Sequence, residues 1–119
     1  MTRFVILRHD HPTLHWDFML EKEAAMRAWR LLQAPGGPGV ITAEGLPDHR
    51  LAYLDYEGPV SGNRGTVRSF DRGEYIVVAE TDGLLELQLR GEKLRGRTTL
   101  RRLASLADWE FEFAPDGTI

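Results

Sequence analysis

Three of the chain's four histidines, His9, His11 and His15, fall in one short window that ends at Asp17 and also holds Asp10; the fourth is His49. His15 and Asp17 lie two apart in a stretch, Leu14–Glu21, that alternates cleanly. Leu14, Trp16, Phe18 and Leu20 take one parity; His15, Asp17, Met19 and Glu21 take the other. Period two is the mark of a strand, and residues i and i+2 of a strand project from the same face. An imidazole and a carboxylate side by side on a sheet supply two ligands for a divalent metal. His9, at the end of the preceding strand-like segment, supplies a third across a hairpin-like connection. Two histidines and a carboxylate form a facial set with positions left open, and such a mixed set suits manganese, iron or zinc better than magnesium. The alternation places His15 and Asp17 opposite Leu14, Trp16 and Phe18, away from the packed face. The plain alternative is a polar, solvated strand face with no ligand. His11, beside Pro12 in a turn, is expected to be solvated.

The elements that must position these residues are short. Arg3–Arg8 reads as a strand, and Met26–Leu32 as another, with helix as the competitor over Glu21–Leu32 because Glu, Lys, Ala, Met and Leu favour it. Pro35–Gly39 is a loop by composition. Asp48–Tyr56 is expected to open a short helix with Asp48 as its N-cap, which would put His49 and Tyr53 on one helical face. Ser61–Gly65 is a turn. Thr66–Phe70, Glu74–Glu80, Leu84–Arg90, Arg97–Leu103 and Trp109–Phe113 read as strands, separated by Asp71–Gly73, Asp82-Gly83, Gly91–Lys93 and a Ser/Ala/Asp linker. Many short strands with turn residues between them predict a mainly β fold, a closed or nearly closed β-barrel of about eight strands with one or two short flanking helices.

Composition sets the limits. With 119 residues the chain is expected to be a single domain, 1–119. Hydrophobic residues make up 42% and charged residues 28%, an ordinary globular balance that argues against disorder. Cysteine is absent, which excludes disulfides, zinc–thiolate sites and thiol catalysis. No apolar run approaches the ~20 residues of a membrane span, and the strand-like Met1–Arg8 does not resemble a signal peptide. A soluble, cytoplasmic monomer is the expectation. Net charge is −3, so contact with nucleic acid would need a local patch rather than an overall basic surface. Thirteen of the fifteen basic residues are arginine, whose fork suits phosphate. From Arg90 to Arg102 there are six basic residues against one acid, Glu92; Arg95 and Arg97 share a strand face and could follow a phosphate backbone, or simply pair with glutamates.

At this point the chain resembles the phosphoesterase domain found at the N-terminus of bacterial DNA ligase D. The resemblance is carried by Arg3-Phe4-Val5, Arg8-His9-Asp10 and Leu14-His15-Trp16-Asp17-Phe18-Met19-Leu20-Glu21. It continues through Ala28-Trp29, Asp48–Gly58, Gly65-Thr66-Val67, Phe70–Tyr75, Gly91–Arg97 and Trp109, in order over nearly the whole chain. It implies an eight-stranded barrel with short helices. It also implies a metal, manganese or another divalent transition metal, held by His9, His15 and Asp17. His49 would contact the scissile phosphate and handle protons, and Tyr53 would hydrogen-bond a phosphate oxygen. The implied activity is trimming of nucleic-acid 3′ ends in DNA repair, by removal of a 3′-ribonucleoside or 3′-phosphate, with a ligase or polymerase as a possible repair partner.

The chain also departs from that family. Met19 stands where the family has an arginine, Gln33 where it has a lysine, and Ile41 where an arginine is expected; the extension ahead of the first motif is expected to be missing. Arg50, Arg64 and Arg68 are the candidates to restore the lost charge, with Arg50, Arg64, Arg95 and Arg97 as weak substrate contacts. Arg30 is expected to face away from the position of Gln33. The alternative function is therefore a catalytically weakened or inactive barrel that binds nucleic acid or a repair partner. A third reading, an iron oxygenase built on His15, Asp17 and His49, would need a cosubstrate pocket as well.

Overall fold

The computed structural model describes residues 2–105 and 107–117; the first residue of the Met1–Arg8 stretch and position 106 of the Ser/Ala/Asp linker lie outside the described residues. Nine strands follow in order: β1 Arg3–His9, β2 His15–Lys22, β3 Ala25–Leu31, β4 Val40–His49, β5 Gly58–Pro59, β6 Thr66–Thr81, β7 Leu84–Gly91, β8 Arg95–Arg102 and β9 Asp108–Pro115. They form one sheet in the order β1-β2-β3-β4-β9-β8-β7-β6-β5, and β1 also pairs with β6. Eight strands therefore run round a ring of antiparallel pairings, with the two-residue β5 as an appendage on β6. The mainly β expectation is met. Glu21–Leu32 is not helical: it contributes the β2–β3 hairpin, in which Lys22 pairs with Ala25 across a two-residue turn.

Two apolar clusters explain the packing. The larger one takes residues from all eight ring strands, among them Phe4, Phe18, Trp29, Ile41, Tyr75, Leu87, Leu100 and Phe111; it fills the ring. The smaller one, Val5, Leu7, Met19, Met26, Ala28, Leu54 and Val67, takes the opposite parity of β1, β2 and β3. It lies on the outer face of the sheet. Leu46, Leu51, Tyr53 and Val60 pack over it. This corrects the expectation for β2. The parity of His15, Asp17 and Met19 is buried too, because the segment after β4 folds over it. Leu14, assigned to the packed face, is exposed.

Two further expectations change. Asp48 does not cap a helix, since it lies within β4. The helix is a single 3-10 turn over Leu51–Leu54 preceded by Arg50, which makes no side-chain cap. Asp71–Gly73 is not a turn either: Thr66–Thr81 is one long strand that pairs first with β1 and then with β7. The register slips between Ile6 and Leu7 of β1, a bulge that bends β6 as it passes from one neighbour to the next. Gly73 sits so close to the Arg90 carbonyl that a side chain would collide with it. Asp71 is 1% exposed, and its carboxylate accepts the Lys93 amide at 2.9 Å and the Leu94 amide at 2.8 Å. A residue type common in turns here anchors the neighbouring β7–β8 connection from within a strand.

Asp71→Ala would leave both amides without an acceptor. The expected loss is about 2–3 kcal/mol of stability, read as a lower urea midpoint with an unchanged slope; a midpoint equal to that of the parent chain would contradict this role.

Candidate metal centre

β1 and β2 are paired so that His9 stands directly across from His15, and Asp17 follows two residues along β2. His9, His15 and Asp17 each offer a ligand atom, and these atoms lie within 4.8 Å of one another. The two imidazole rings are 4.8 Å apart between centroids. His15 and Asp17 are 2% and 6% exposed, so this is an interior cluster and not a solvated strand face.

The hydrogen bonds fix which ring atoms face each other. His15 Nδ1 lies 2.8 Å from the Thr13 carbonyl oxygen. A carbonyl only accepts, so Nδ1 carries the hydrogen, and in the neutral ring Nε2 keeps its lone pair. That Nε2 is 3.0 Å from Asp17 Oδ1, yet out of line for a hydrogen bond, and it is buried without a hydrogen-bond partner among the described residues. His9 is arranged the other way round. Its Nε2 donates to the Arg64 carbonyl at 2.8 Å, and its Nδ1 meets Asp17 Oδ2 at 3.1 Å; a carboxylate only accepts, so that contact takes a proton or a cation between the two atoms. Two ring nitrogens and a carboxylate thus converge, each imidazole oriented from behind by a main-chain carbonyl. That is the outer arrangement ligating histidines use, and the donor set fits a divalent transition metal. Burial works against the charged form of His15, but Asp17 outweighs it and holds the imidazole above its ordinary value. Burial likewise works against the carboxylate of Asp17, and the two histidines keep it below the usual range.

A cavity of about 540 Å³ opens beside this cluster. Leu7, Met19, Leu46, Val60 and Val67 give it an apolar floor, and His11, Pro12, Asp48, His49, Arg50, Tyr53, Ser61 and Arg64 also line it. His49 ends β4 and Tyr53 sits in the 3-10 turn. Their rings meet edge to face at 6.3 Å, so they come together across a strand end and not along a helix. His49 Nδ1 donates to the Pro47 carbonyl at 2.8 Å, leaving Nε2 as the atom free to exchange a proton. The loop that carries Arg64 is held by Asp10, which accepts the Thr66 amide at 2.8 Å. That bond keeps the Asp10 carboxyl below its usual range. Gly65, at φ +77°, has Asp10 and His11 packed where a side chain would go, so the left-handed turn there requires glycine.

The structure sorts the sequence-predicted contacts. His9, His15, Asp17, His49, Tyr53, Arg50 and Arg64 share the cavity. The Arg64 guanidinium is occupied with Ser61, whose carbonyl it reaches at 2.7 Å. Arg68 is exposed outside the cavity. Arg95 and Arg97 do not line it. Arg97 pairs with Glu86 at 2.9 Å, and Arg95 borders a separate hollow with Arg3, Arg72 and Arg90. Arg30, expected to face away from the position of Gln33, lines the cavity. Gln33 lies beyond the end of β3, so strand parity does not relate the two. The signal was the hairpin: a two-residue turn at Glu23-Ala24 puts Arg30 opposite Asp17.

Residues 7–102 match the DNA Ligase D 3'-phosphoesterase domain. The chain is also 32% identical to the multifunctional non-homologous end joining protein LigD of Pseudomonas aeruginosa, over 98% of its own length and 16% of that protein's. A cluster of two histidines and an aspartate beside a histidine–tyrosine pair, on a sheet that matches over most of its length, leads to one conclusion: the chain belongs to the DNA ligase D 3′-phosphoesterase domain family.

Proposed function

We propose that this protein is a divalent-metal-dependent phosphoesterase that removes a 3′-ribonucleoside or 3′-phosphate from nucleic-acid ends during DNA repair, with manganese or a similar ion held by His9, His15 and Asp17. The observation that carries the reading is the convergence of His9 Nδ1 and His15 Nε2 on the Asp17 carboxylate, with the outward nitrogen of each ring held by a main-chain carbonyl. Without a cation or a shared proton these atoms repel. When bound, the ion supplies Lewis acidity and neutralises phosphate oxygens, which otherwise repel a nucleophile.

The remaining steps belong to side chains. His49, pinned through Nδ1, offers Nε2 to the reacting phosphate, where it stabilises developing charge or protonates the leaving oxygen. Tyr53, beside it, donates a hydrogen bond to a phosphate oxygen. The apolar floor limits water around the phosphate and strengthens both interactions. A repair ligase or polymerase is the natural partner, in the cytoplasm where chromosomal ends are repaired. Separately, no described helix is long and apolar enough to cross a membrane.

One observation favours the second reading, a barrel that binds ends without cutting them. Met19 is buried in the outer cluster two residues from Asp17, where the resembled family carries an arginine. A thioether cannot clamp a phosphate.

With Mn²⁺, the protein should release 3′-phosphate and 3′-ribonucleoside from primer–template DNA. His49→Ala should slow this by on the order of 10²-fold or more, and His15→Ala should abolish Mn²⁺ binding. Salt-sensitive DNA binding with no release from either primer would support the second reading instead. Imidazoles must be unprotonated to ligate. Asp17 raises His15 against the effect of burial, so protons begin to displace the ion above the ordinary histidine range. Calorimetric Mn²⁺ affinity should therefore rise with pH through that range and be lost below it; a flat profile between about pH 5 and 8 would contradict the assignment.

A further inference from the structure

Arg30 is cross-strand partner to Asp17 on one side and to Glu44 on the other. It shares the outer parity of β3 with Met26 and Ala28, and its side chain, one-third exposed, reaches the cavity beside His9, His15 and Asp17. Its bonding is incomplete. Nε is buried and has no hydrogen-bond partner among the described residues. Nη1 comes no closer than 3.6 Å to Glu44 Oε1, too far for a hydrogen bond, and a half-exposed pair of that kind contributes little. A buried guanidinium N–H without an acceptor is costly.

The electrostatics sharpen the question. Arg30 places a positive charge beside two imidazoles and beside the place a divalent ion would take. Two cationic centres facing one cavity repel each other unless an anion comes between them. A phosphate meets both needs: it accepts from the idle guanidinium donors and shares its charge with the ion. Among the other arginines of the cavity, Arg64 already gives its Nε and Nη2 to Ser61, and Arg50 is exposed.

We propose that Arg30 is the phosphate clamp of this cavity, donating its guanidinium fork to the non-bridging oxygens of the bound phosphate, a function that Met19 cannot perform. The assignment rests on the reading of the cluster as a metal centre for a phosphoester. It makes β3 a functional strand, and it gives the chain a cation for its substrate from a different strand than β2.

The test is calorimetry of inorganic phosphate with the whole chain in excess Mn²⁺, for the parent protein and for Arg30→Gln, Arg30→Lys and Glu44→Gln. Arg30→Gln should weaken phosphate about 10-fold or more while leaving Mn²⁺ affinity unchanged or tighter. Arg30→Lys should fall between, since it keeps the charge and loses the fork. Glu44→Gln, which removes only the distant carboxylate, should bind phosphate as well as the parent or better. Unchanged phosphate affinity in Arg30→Gln would overturn the proposal, as would absence of phosphate binding by the parent. Weakened Mn²⁺ binding in Arg30→Gln, or a Glu44→Gln loss as large as that of Arg30→Gln, would make Arg30 a structural residue and overturn it as well. Arg30-dependent phosphate binding without turnover of primers would leave the clamp standing and remove the phosphoesterase reading. Turnover with phosphate affinity indifferent to Arg30 would do the reverse.

Discussion

Two main-chain carbonyls decide what this site can do. The Thr13 oxygen takes a hydrogen of one imidazole and the Arg64 oxygen that of the other, so the second nitrogen of each ring turns inward onto Asp17. A histidine–aspartate pair with the proton between them would be an internal salt bridge. The same residues with their protons directed outward are a ligand set. The difference lies in which ring nitrogen meets a backbone oxygen, and that orientation is held by the turn before β2 and the loop before β6. Asp10 and Gly65 tie those two segments together, so the site depends on residues that touch no ligand atom.

The fold accommodates such a cluster because the sheet is packed on both faces over β1, β2 and β3. The ring interior is filled by aromatic and branched side chains from eight strands, and this core supplies the rigidity. The outer face of three strands is covered by the 3-10 turn and its flanking loops, with a second apolar cluster beneath. Polar ligands at the edge of that second cluster are desolvated enough to interact strongly and remain open to the cavity. Loops on a rigid sheet are where binding groups are commonly placed, and here Tyr53 and Arg64 come from the covering segment, His49 from the last position of β4, while the cluster itself stands on strands.

Much of this was legible in the residues. The alternation of Leu14–Glu21 gives β2, its parity gives the shared face of His15 and Asp17, and the end of β1 gives His9. What sequence could not reveal was that the polar parity is buried, because a strand that points histidine and aspartate into a covered cavity reads the same as one that points them at water. Asp71 misled for the opposite reason. Asp-Arg-Gly has turn composition, but the carboxylate serves a neighbouring connection through two amides, a tertiary use that no local pattern records. Asp48 followed the same course, its capping preference overridden by the length of β4. Arg30 was missed because the hairpin turn at Glu23-Ala24 lacks the usual Gly or Asn signal, and without the turn the register cannot be counted back to Asp17.

A crystal structure of the protein grown with Mn²⁺, with data collected at the manganese absorption edge, tests the central claim most directly. The account predicts one anomalous peak bonded to His9 Nδ1, His15 Nε2 and the Asp17 carboxylate, with the outward ring nitrogens still donating to Arg64 and Thr13. No peak at that position under saturating Mn²⁺, or one ligated through the outward nitrogens after the carbonyl bonds have broken, would contradict it.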